Sequence, residues 1–414
     1  MKFLFGALCS LLSITAGAQS TDSLYLEPLL QEVISSNPAL LAAQANHRRE
    51  ETKISQARSW NAPMVSVEFM DNPITSLNFP KNGMMRRYAL EQMIPFPGKI
   101  SSAETSAQAS AASAHSSSEA YKRTLIAETK KQYAMLYSIQ RRLSVNQENQ
   151  TLLQQMISAV QAKYSVGQAT QADVLRMQIE LTKLENEFSS LQQEERMAEG
   201  MINALRSKPT GTPIGTIPVI ALPPLPENET ALEQDAMSKR NELHSMQAEI
   251  EMSRADVSMS QKEQYPDLQI GLAYKELAAM PDTWELMIGI SIPFAPWASG
   301  KYSGKIEEQQ LAVQQKEHEF ADMRNMIRFD VYDKWSKAKA SWEKLQRYET
   351  SVLPSTRQTF EALRSAYIAN KADFLSLIDA VRMVQMYTME YYEEAAQYLS
   401  YRADLERAAG TELP

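Results

Sequence analysis

The chain has 414 residues and a formal net charge of −8, which argues weakly against nucleic acid as a partner because a phosphate backbone attracts basic proteins. Only 13 residues are glycine, a scarcity typical of long helices, whose interiors glycine destabilises. No run of 18 apolar residues follows the N-terminal segment, so the sequence predicts no transmembrane helix.

Residues 1–18 have the pattern of a secretory signal peptide. Lys2 supplies the positive charge, a mostly apolar stretch follows, and Ala16 and Ala18 form an A-x-A cleavage site. A buried N-terminal helix is the alternative. We expect cleavage before Gln19, which would leave 41 of the 42 basic residues against 50 acidic ones, a charge of −9.

The sequence repeats itself at a constant offset of 203 residues. Leu40 recurs as Leu243, and Tyr164 recurs as Tyr367. Solenoid repeats have periods of about 20–50 residues, so this period indicates two copies of one large unit. The predicted layout is a first repeat over 19–206, a proline-rich linker over 207–228, a second repeat over 229–410 and a tail over 411–414.

Each copy is predicted to contain a helix, two strands and two long helices, in that order. In copy one these are a helix over 26–60, strands over 63–70 and 87–94, and helices over 101–163 and 171–205. Copy two repeats the order from 229 to 409. A helix of about 60 residues spans about 90 Å, so we expect an extended tube or rod.

Residues 101–120 are unusually rich in serine and alanine, with 15 of the 20 positions. A low-complexity linker is one interpretation. We favour a helix whose small side chains allow close approach of a neighbour, because the segment follows a predicted strand and leads into a patterned helix.

The predicted strands alternate between apolar and polar residues, as strands with two different faces do. A half-buried hairpin of a soluble protein is one explanation. The strands are also long enough, at about nine residues, to cross a bilayer at a tilt. On that reading the lipid-facing residues of copy two are Leu268, Ile270, Leu272, Leu286, Ile288 and Ile290.

The last helix of each copy carries an apolar seam that steps by four and three residues. Such spacing indicates coiled-coil packing between neighbouring helices. In copy one the seam consists of Met177, Leu181, Leu184, Phe188, Leu191, Glu195, Ala198, Ile202 and Leu205.

The sequence lacks any catalytic, cofactor or metal-binding pattern, so we expect no enzyme. The four histidines are isolated, and the only cysteine, Cys9, lies in the predicted signal peptide. It follows Leu8, where a lipoprotein signal needs a small residue, so neither lipid attachment nor a disulfide is expected. The 22 methionines could bind soft metals, but they are not clustered, which favours a role as helix filler.

The order and duplication of several short motifs resemble the outer-membrane factor family, the TolC-like export ducts, across the whole mature chain. The motifs are Asn37-Pro38-Ala39-Leu40, Arg240-Asn241-Glu242-Leu243, Tyr265-Pro266-Asp267-Leu268, Ile94-Pro95-Phe96-Pro97-Gly98-Lys99, Tyr164-Ser165-Val166-Gly167 and Leu405-Glu406-Arg407-Ala408-Ala409-Gly410. The segment Pro95–Lys99 also resembles the heavy-metal cation efflux subgroup.

The resemblance implies a mainly α fold with a small β part. Three chains would form an α-barrel of long coiled-coil helices below a 12-stranded β-barrel, to which each chain gives four strands. It also implies a passive outer-membrane duct extending into the periplasm of a Gram-negative bacterium. The implied partners are a periplasmic adaptor and an inner-membrane pump, with an RND pump for heavy-metal cations or drugs expected.

The same resemblance assigns roles to turn residues. Tyr164, Gly167 and Asp173 of copy one, with Tyr367 and Asn370 of copy two, are expected to form the periplasmic tip that docks the adaptor. Asparagine stands at 370 where the family usually has glycine, and asparagine tolerates a left-handed turn. Asp379 and Ser376 match the acidic rings of the family's lumen gate, so one ring is expected here.

Two alternatives remain open at this stage. The duct could serve type I protein secretion instead of efflux. From a different class, a secreted coiled-coil adhesin or scaffold without a pore would explain the helical seams but neither the strand quartet nor the duplication.

Overall fold

We describe a computed structural model of the chain over residues 23–72, 74–75, 78, 84–226, 228–278 and 280–413. The predicted signal peptide, residues 1–18, lies outside the described residues. The first copy consists of α1 (Leu26–Ser36), α2 (Pro38–Arg58), β1 (Met64–Met70), β2 (Met85–Ile94), α3 (Lys99–Ser165) and α4 (Gln171–Leu205).

The second copy repeats this order with one added interruption. Its elements are α5 (Glu229–Lys239), α6 (Asn241–Lys262), β3 (Leu268–Leu277), β4 (Thr283–Ile290), α7 (Ser299–Arg347), a π-helical segment (Tyr348–Val352), α8 (Leu353–Ile368) and α9 (Phe374–Ala409). No helix in the described ranges combines the length and apolar character needed to cross a membrane.

The predicted single helix over 26–60 is wrong, because the chain breaks at Asn37. A residue before proline avoids the α conformation, and Asn37 adopts φ −69° and ψ 118° before Pro38. Its side chain then accepts hydrogen bonds from the N–H groups of Ala39 and Leu40. Arg240 breaks the second copy at the corresponding position with nearly the same backbone angles.

The helix equivalent to α3 is also interrupted in copy two. A π-helical segment separates α7 from α8 just before Pro354, whereas α3 is continuous. Proline lacks the N–H that the helix needs and clashes with the preceding turn, which accounts for the wider turn there. Thr151 occupies the equivalent position in α3.

The helices form a wall rather than a globule. The long α3 packs against α2 and α4 on one side and against α6 and α9 on the other. In copy two, α7 packs against α6 and α9, and α8 packs against α9. The outer edges of the wall are therefore α2 with α4, and α7 with α8.

The serine- and alanine-rich stretch is helical, so the linker interpretation of 101–120 is wrong. It belongs to α3, where small side chains meet α6 directly. The hydroxyl groups of Ser113 and Ser117 both lie 2.9 Å from that of Ser245. Close packing through short polar side chains thus positions the two copies against each other.

The four strands form one antiparallel sheet in the order β1-β2-β3-β4 within the described ranges. The β2–β3 pairing joins the two copies, with Leu90 opposite Leu272, and Leu272 opposite Leu286. Because side chains alternate, one face collects the apolar residues. This apolar face comprises Val65, Val67, Phe69, Tyr88, Leu90, Leu268, Ile270, Leu272, Tyr274, Trp284, Leu286, Ile288 and Ile290.

Candidate functional site

The first tip turn connects α3 to α4. Gly167 has φ +75°, and the N–H of Gln168 donates to the carbonyl of Lys163 at 2.8 Å. A left-handed residue that closes such a bond is the usual end of a helix. Thr170 and Asp173 then cap α4 reciprocally, each side chain bonded to the other's backbone N–H.

The second tip turn connects α8 to α9 in the same way. Asn370 has φ +56°, and the N–H of Lys371 donates to the carbonyl of Ala366 at 2.7 Å. Asparagine thus supports the left-handed position that glycine occupies in copy one. The turn chemistry survives the substitution, as the sequence predicts.

The cap residues of the two turns have their hydroxyl and carboxylate side chains in the opposite order along the chain. At the offset of 203 residues, Thr170 corresponds to Asp373 and Asp173 corresponds to Ser376. The Asp373 carboxylate accepts hydrogen bonds from the Ser376 N–H at 2.7 Å and from its hydroxyl at 3.0 Å. These bonds, with the backbone N–H first, lower the pKa of Asp373. The hydroxyl of Ser376, expected at the lumen gate, takes part in this cap.

Lys163 joins the two turns. Its Nζ donates to the carbonyl of Tyr367 at 2.8 Å and to Oδ1 of Asn370 at 2.6 Å, and it lies 4.3 Å from the centre of the Tyr367 ring. One ammonium group therefore occupies the C-terminal end of α8, where the helix dipole favours a cation. Two of the expected tip residues, Tyr367 and Asn370, thus contact a lysine that sequence reasoning missed.

The tip also exposes apolar side chains. Tyr164 is half-exposed at the end of α3, while Val166 and Ile368 in and beside the turns are 68% and 67% exposed. Apolar side chains at this density on a monomer's surface are typical of a contact surface. The tip is anchored beneath them by a core that includes Val160, Phe360, Phe374 and Leu377.

Asp379 lies in the second turn of α9, not in the connecting turn where the sequence placed it. The N-cap of α9 is Asp373, so the helix begins before Asp379. The Asp379 carboxylate is 3.2 Å from Nη1 of Arg382, whose Nη2 pairs with Glu180 of α4. Its side chain is 55% exposed, so it remains accessible to solvent.

The Arg382–Glu180 contact joins α4 to α9. The hydrogen bond from Arg382 lowers the pKa of Glu180, against the opposing effect of its partial burial. Sequence reasoning missed both residues, because a cross-helix partner 202 positions away leaves no local pattern. The three-residue spacing of Asp379 and Arg382 was the available signal, since it places opposite charges on one helix face.

All six residues expected to face lipid lie on the apolar face of the sheet. Ile288 is 66% exposed and Leu286 58% exposed in the single chain. The charged residues Glu68, Arg87, Glu91, Lys275 and Glu285 lie on the opposite face. Among the residues that the structure describes, no three His, Cys, Asp or Glu side chains are grouped to hold a metal ion.

The first copy of the chain is similar to a known family. A model described as "Outer membrane efflux protein" matches residues 29–205, from α1 to the end of α4. Over this segment the chain is similar to the outer membrane efflux proteins, which are channels rather than enzymes.

Several solved outer-membrane channels share the fold of this chain at low sequence identity. CusC, studied for folding and transmembrane channel formation, gives a TM-score of 0.79 at 14% identity, covering 93% of this chain and 92% of CusC. The CmeC channel of Campylobacter jejuni gives a TM-score of 0.77 at 12% identity, covering 99% of this chain and 94% of CmeC. The open MtrE channel of Neisseria gonorrhoeae gives a TM-score of 0.76 at 13% identity, covering 93% of this chain and 89% of MtrE. No curated protein matches the sequence.

Proposed function

We propose that three copies of this chain form a passive export duct, with a β-barrel in the outer membrane and an α-barrel in the periplasm. The observation that carries the proposal is the four-stranded sheet with one largely apolar face and two edge strands, β1 and β4. An open strand edge is not viable in lipid, so β1 of one copy must pair with β4 of another. Three copies supply twelve strands, an even number as bacterial barrels require.

The helical wall supports the same arrangement. Its edge helix α4 exposes Ile179 and Met197, and the opposite edge helix α7 exposes Met326 and Phe329, each more than half. Two different apolar edges fit a head-to-tail contact, which closes into a ring when the rotation allows it. The helices would then enclose a tunnel below the barrel.

The duct would work with two partners. A periplasmic adaptor would dock at the tip formed by Tyr164, Gly167, Asp173, Tyr367 and Asn370. An inner-membrane pump of the RND type, which is the type that the family resemblance implies, would supply the energy. The exposed apolar residues beside the two turns support a docking role for the tip.

The cargo proposed for the duct is heavy-metal cations or drugs. The support is the Pro95–Lys99 segment at the junction of β2 and α3. A deletion strain tested against metals and drugs, and for loss of secreted proteins, distinguishes efflux from type I protein secretion. Sensitivity to neither metals nor drugs, with loss of a secreted protein, would favour secretion.

Asp379 is the proposed lumen gate, with three copies forming one acidic ring. Its 55% exposure and its place near the tip end of α9 support this role. Carboxylates around a narrow pore attract cations and repel anions. Asp379→Asn should therefore weaken cation preference in single-channel recordings. Glu361→Gln, an exposed tip carboxylate paired with Arg364 on α8, provides the control.

Cysteine cross-linking tests the trimer directly, because the only native cysteine lies in the predicted signal peptide. A chain with Val65→Cys on β1 and Ile288→Cys or Ile290→Cys on β4 should form disulfide-linked trimers in outer-membrane fractions. The control pairs Val65→Cys with Leu90→Cys, which are opposite each other within one chain and should link only internally. A soluble, non-channel product with no linked oligomer would favour the scaffold instead.

A further inference from the structure

The polar face of the sheet carries a mixed-charge network centred on Arg87. The Arg87 guanidinium contacts three carboxylates: Nη1 lies 2.8 Å from Glu68, Nε 3.8 Å from Glu285 and Nη2 3.9 Å from Glu91. Lys275 pairs with Glu285 as well. Carboxylates of β1, β2 and β4 thus contact one guanidinium, and Lys275 of β3 joins the network through Glu285.

The strand register explains why these side chains meet. Glu68 is opposite Arg87 and Arg87 is opposite Lys275, so one row crosses three strands. The next row contains Ala89 and Ala273, which are 4% and 3% exposed. Because these alanines are small, the long charged side chains can lie across them and reach the row beyond.

The network contains one more negative charge than positive. Glu68, Glu91 and Glu285 contribute three negative charges, and Arg87 and Lys275 contribute two positive ones. One carboxylate is enough to pair with Arg87. The additional negative charge gives this face a formal net charge of −1 per chain.

We propose that this network, which we call the Arg87 network, is a charge filter inside the β-barrel, separate from the tip. The inference rests on the proposed trimer, in which the apolar face meets lipid and the polar face lines the pore. Three networks would then form a belt with a net charge of −3. Fixed wall charges raise the local concentration of counter-ions, so the belt favours cationic solutes at the outer-membrane end of the duct.

Substitutions that change the net charge of the Arg87 network in opposite directions provide the test. Glu68→Gln neutralises the excess charge, so the cation-to-anion permeability ratio of the purified trimer in planar bilayers should fall by about twofold. Arg87→Gln doubles the excess charge, so the ratio should rise by about twofold, with stronger block by Mg²⁺ added from the extracellular side. Glu285→Gln should act as Glu68→Gln does, which keeps the test available if the Arg87 variant does not assemble.

The same strands offer a matched control on the other face. Arg86 is adjacent to Arg87 and forms a two-oxygen ion pair with Glu276, with both distances 3.0 Å. Arg86→Gln removes the same charge as Arg87→Gln, but on the face that is expected to meet lipid. It should therefore leave the permeability ratio unchanged.

The outcomes separate this inference from the proposed function. A trimeric pore whose permeability ratio is the same in wild type, Glu68→Gln, Glu285→Gln and Arg87→Gln would overturn the filter and leave the duct intact. An equal effect of Arg86→Gln would also overturn it. A wild-type protein that forms no pore would overturn the duct and the filter together.

Discussion

The ammonium group of Lys163 holds the carbonyl of Tyr367, 2.8 Å away, and so links the end of α3 to the end of α8. The equivalent position in copy two is Ala366, which offers no ammonium group. Copy one therefore provides a lysine that bonds to the turn of copy two, whereas copy two has no lysine at the equivalent position. Duplication produced two similar turns, and one lysine makes them unequal.

Lys163→Met should loosen the second tip turn. A charged hydrogen bond contributes about 1.5–3 kcal/mol, so backbone amides at the end of α8 should exchange hydrogen roughly tenfold faster or more. Hydrogen-exchange mass spectrometry of the trimer measures this. Lys371→Met is the control, since Lys371 is an exposed lysine in the same turn. Equal exchange in wild type and Lys163→Met would mean that the turn is held by Asn370 and the core beneath it.

Gly167→Val should disrupt the first tip turn through backbone strain alone. A Cβ at this position meets no atom within 4 Å, but φ is +75°, which costs a β-branched residue about 1–3 kcal/mol. Export should be lost while the trimer remains in the membrane. Gly211→Val, also in open space but without a positive φ, is the control. Gly167→Asn should retain export, as Asn370 does in copy two.

Much of the fold could be predicted because its signals are local. The seam residues Met177, Leu184 and Leu191 are buried as the heptad spacing requires, and strand alternation identified the apolar face. The breaks at Asn37 and Arg240 were both missed. Pro38 was a local signal for the first break, and the duplication extended that signal to the second, since Arg240 corresponds to Asn37.

The site was harder to predict because its contacts join the two copies. Lys163 meets Tyr367, and Glu180 meets Arg382, across about 200 residues of sequence. No spacing rule covers such distances, since helix and strand periods relate only near neighbours. The misplaced Asp379 has a different cause. Asp373 caps α9, so the connecting turn ends there, and Asp379, which was counted among the turn residues, lies inside the helix.

The Arg382–Glu180 contact should make the tip more stable above pH 4.5 than below it. The pKa of Glu180 is lowered from 4.5, so the stabilisation is present above that value and is lost as the pH falls through the lowered pKa. Arg382 is 48% exposed, so the contribution is small, about 0.5 kcal/mol. Thermal unfolding of wild type and Arg382→Met should therefore differ at pH 6 and converge near pH 3.

The control for this prediction is Lys183→Met. Lys183 also pairs with Glu180, at 3.0 Å, but from within α4, and its side chain is 62% exposed. Its loss should change the unfolding temperature less than the loss of Arg382. A difference between wild type and Arg382→Met that persists at pH 3 would show that Arg382 acts through packing or through Asp379 instead.

Arginine on the apolar face of the sheet should prevent assembly of the duct in the membrane. Ile288 and Ile290 project from β4 on that face, and each Arg substitution near the bilayer midplane should cost about 2–4 kcal/mol. The yield of heat-modifiable trimer in outer-membrane fractions of the Ile288→Arg/Ile290→Arg double variant measures the effect. Met287→Arg is the matched control, because Met287 is adjacent to Ile288 but lies on the polar face, opposite Gly271 and in the same row as Glu91. Introduced there, the same side chain has water and a carboxylate beside it, so the yield should stay near that of wild type. Normal trimer yield in the double variant would mean that this face does not meet lipid.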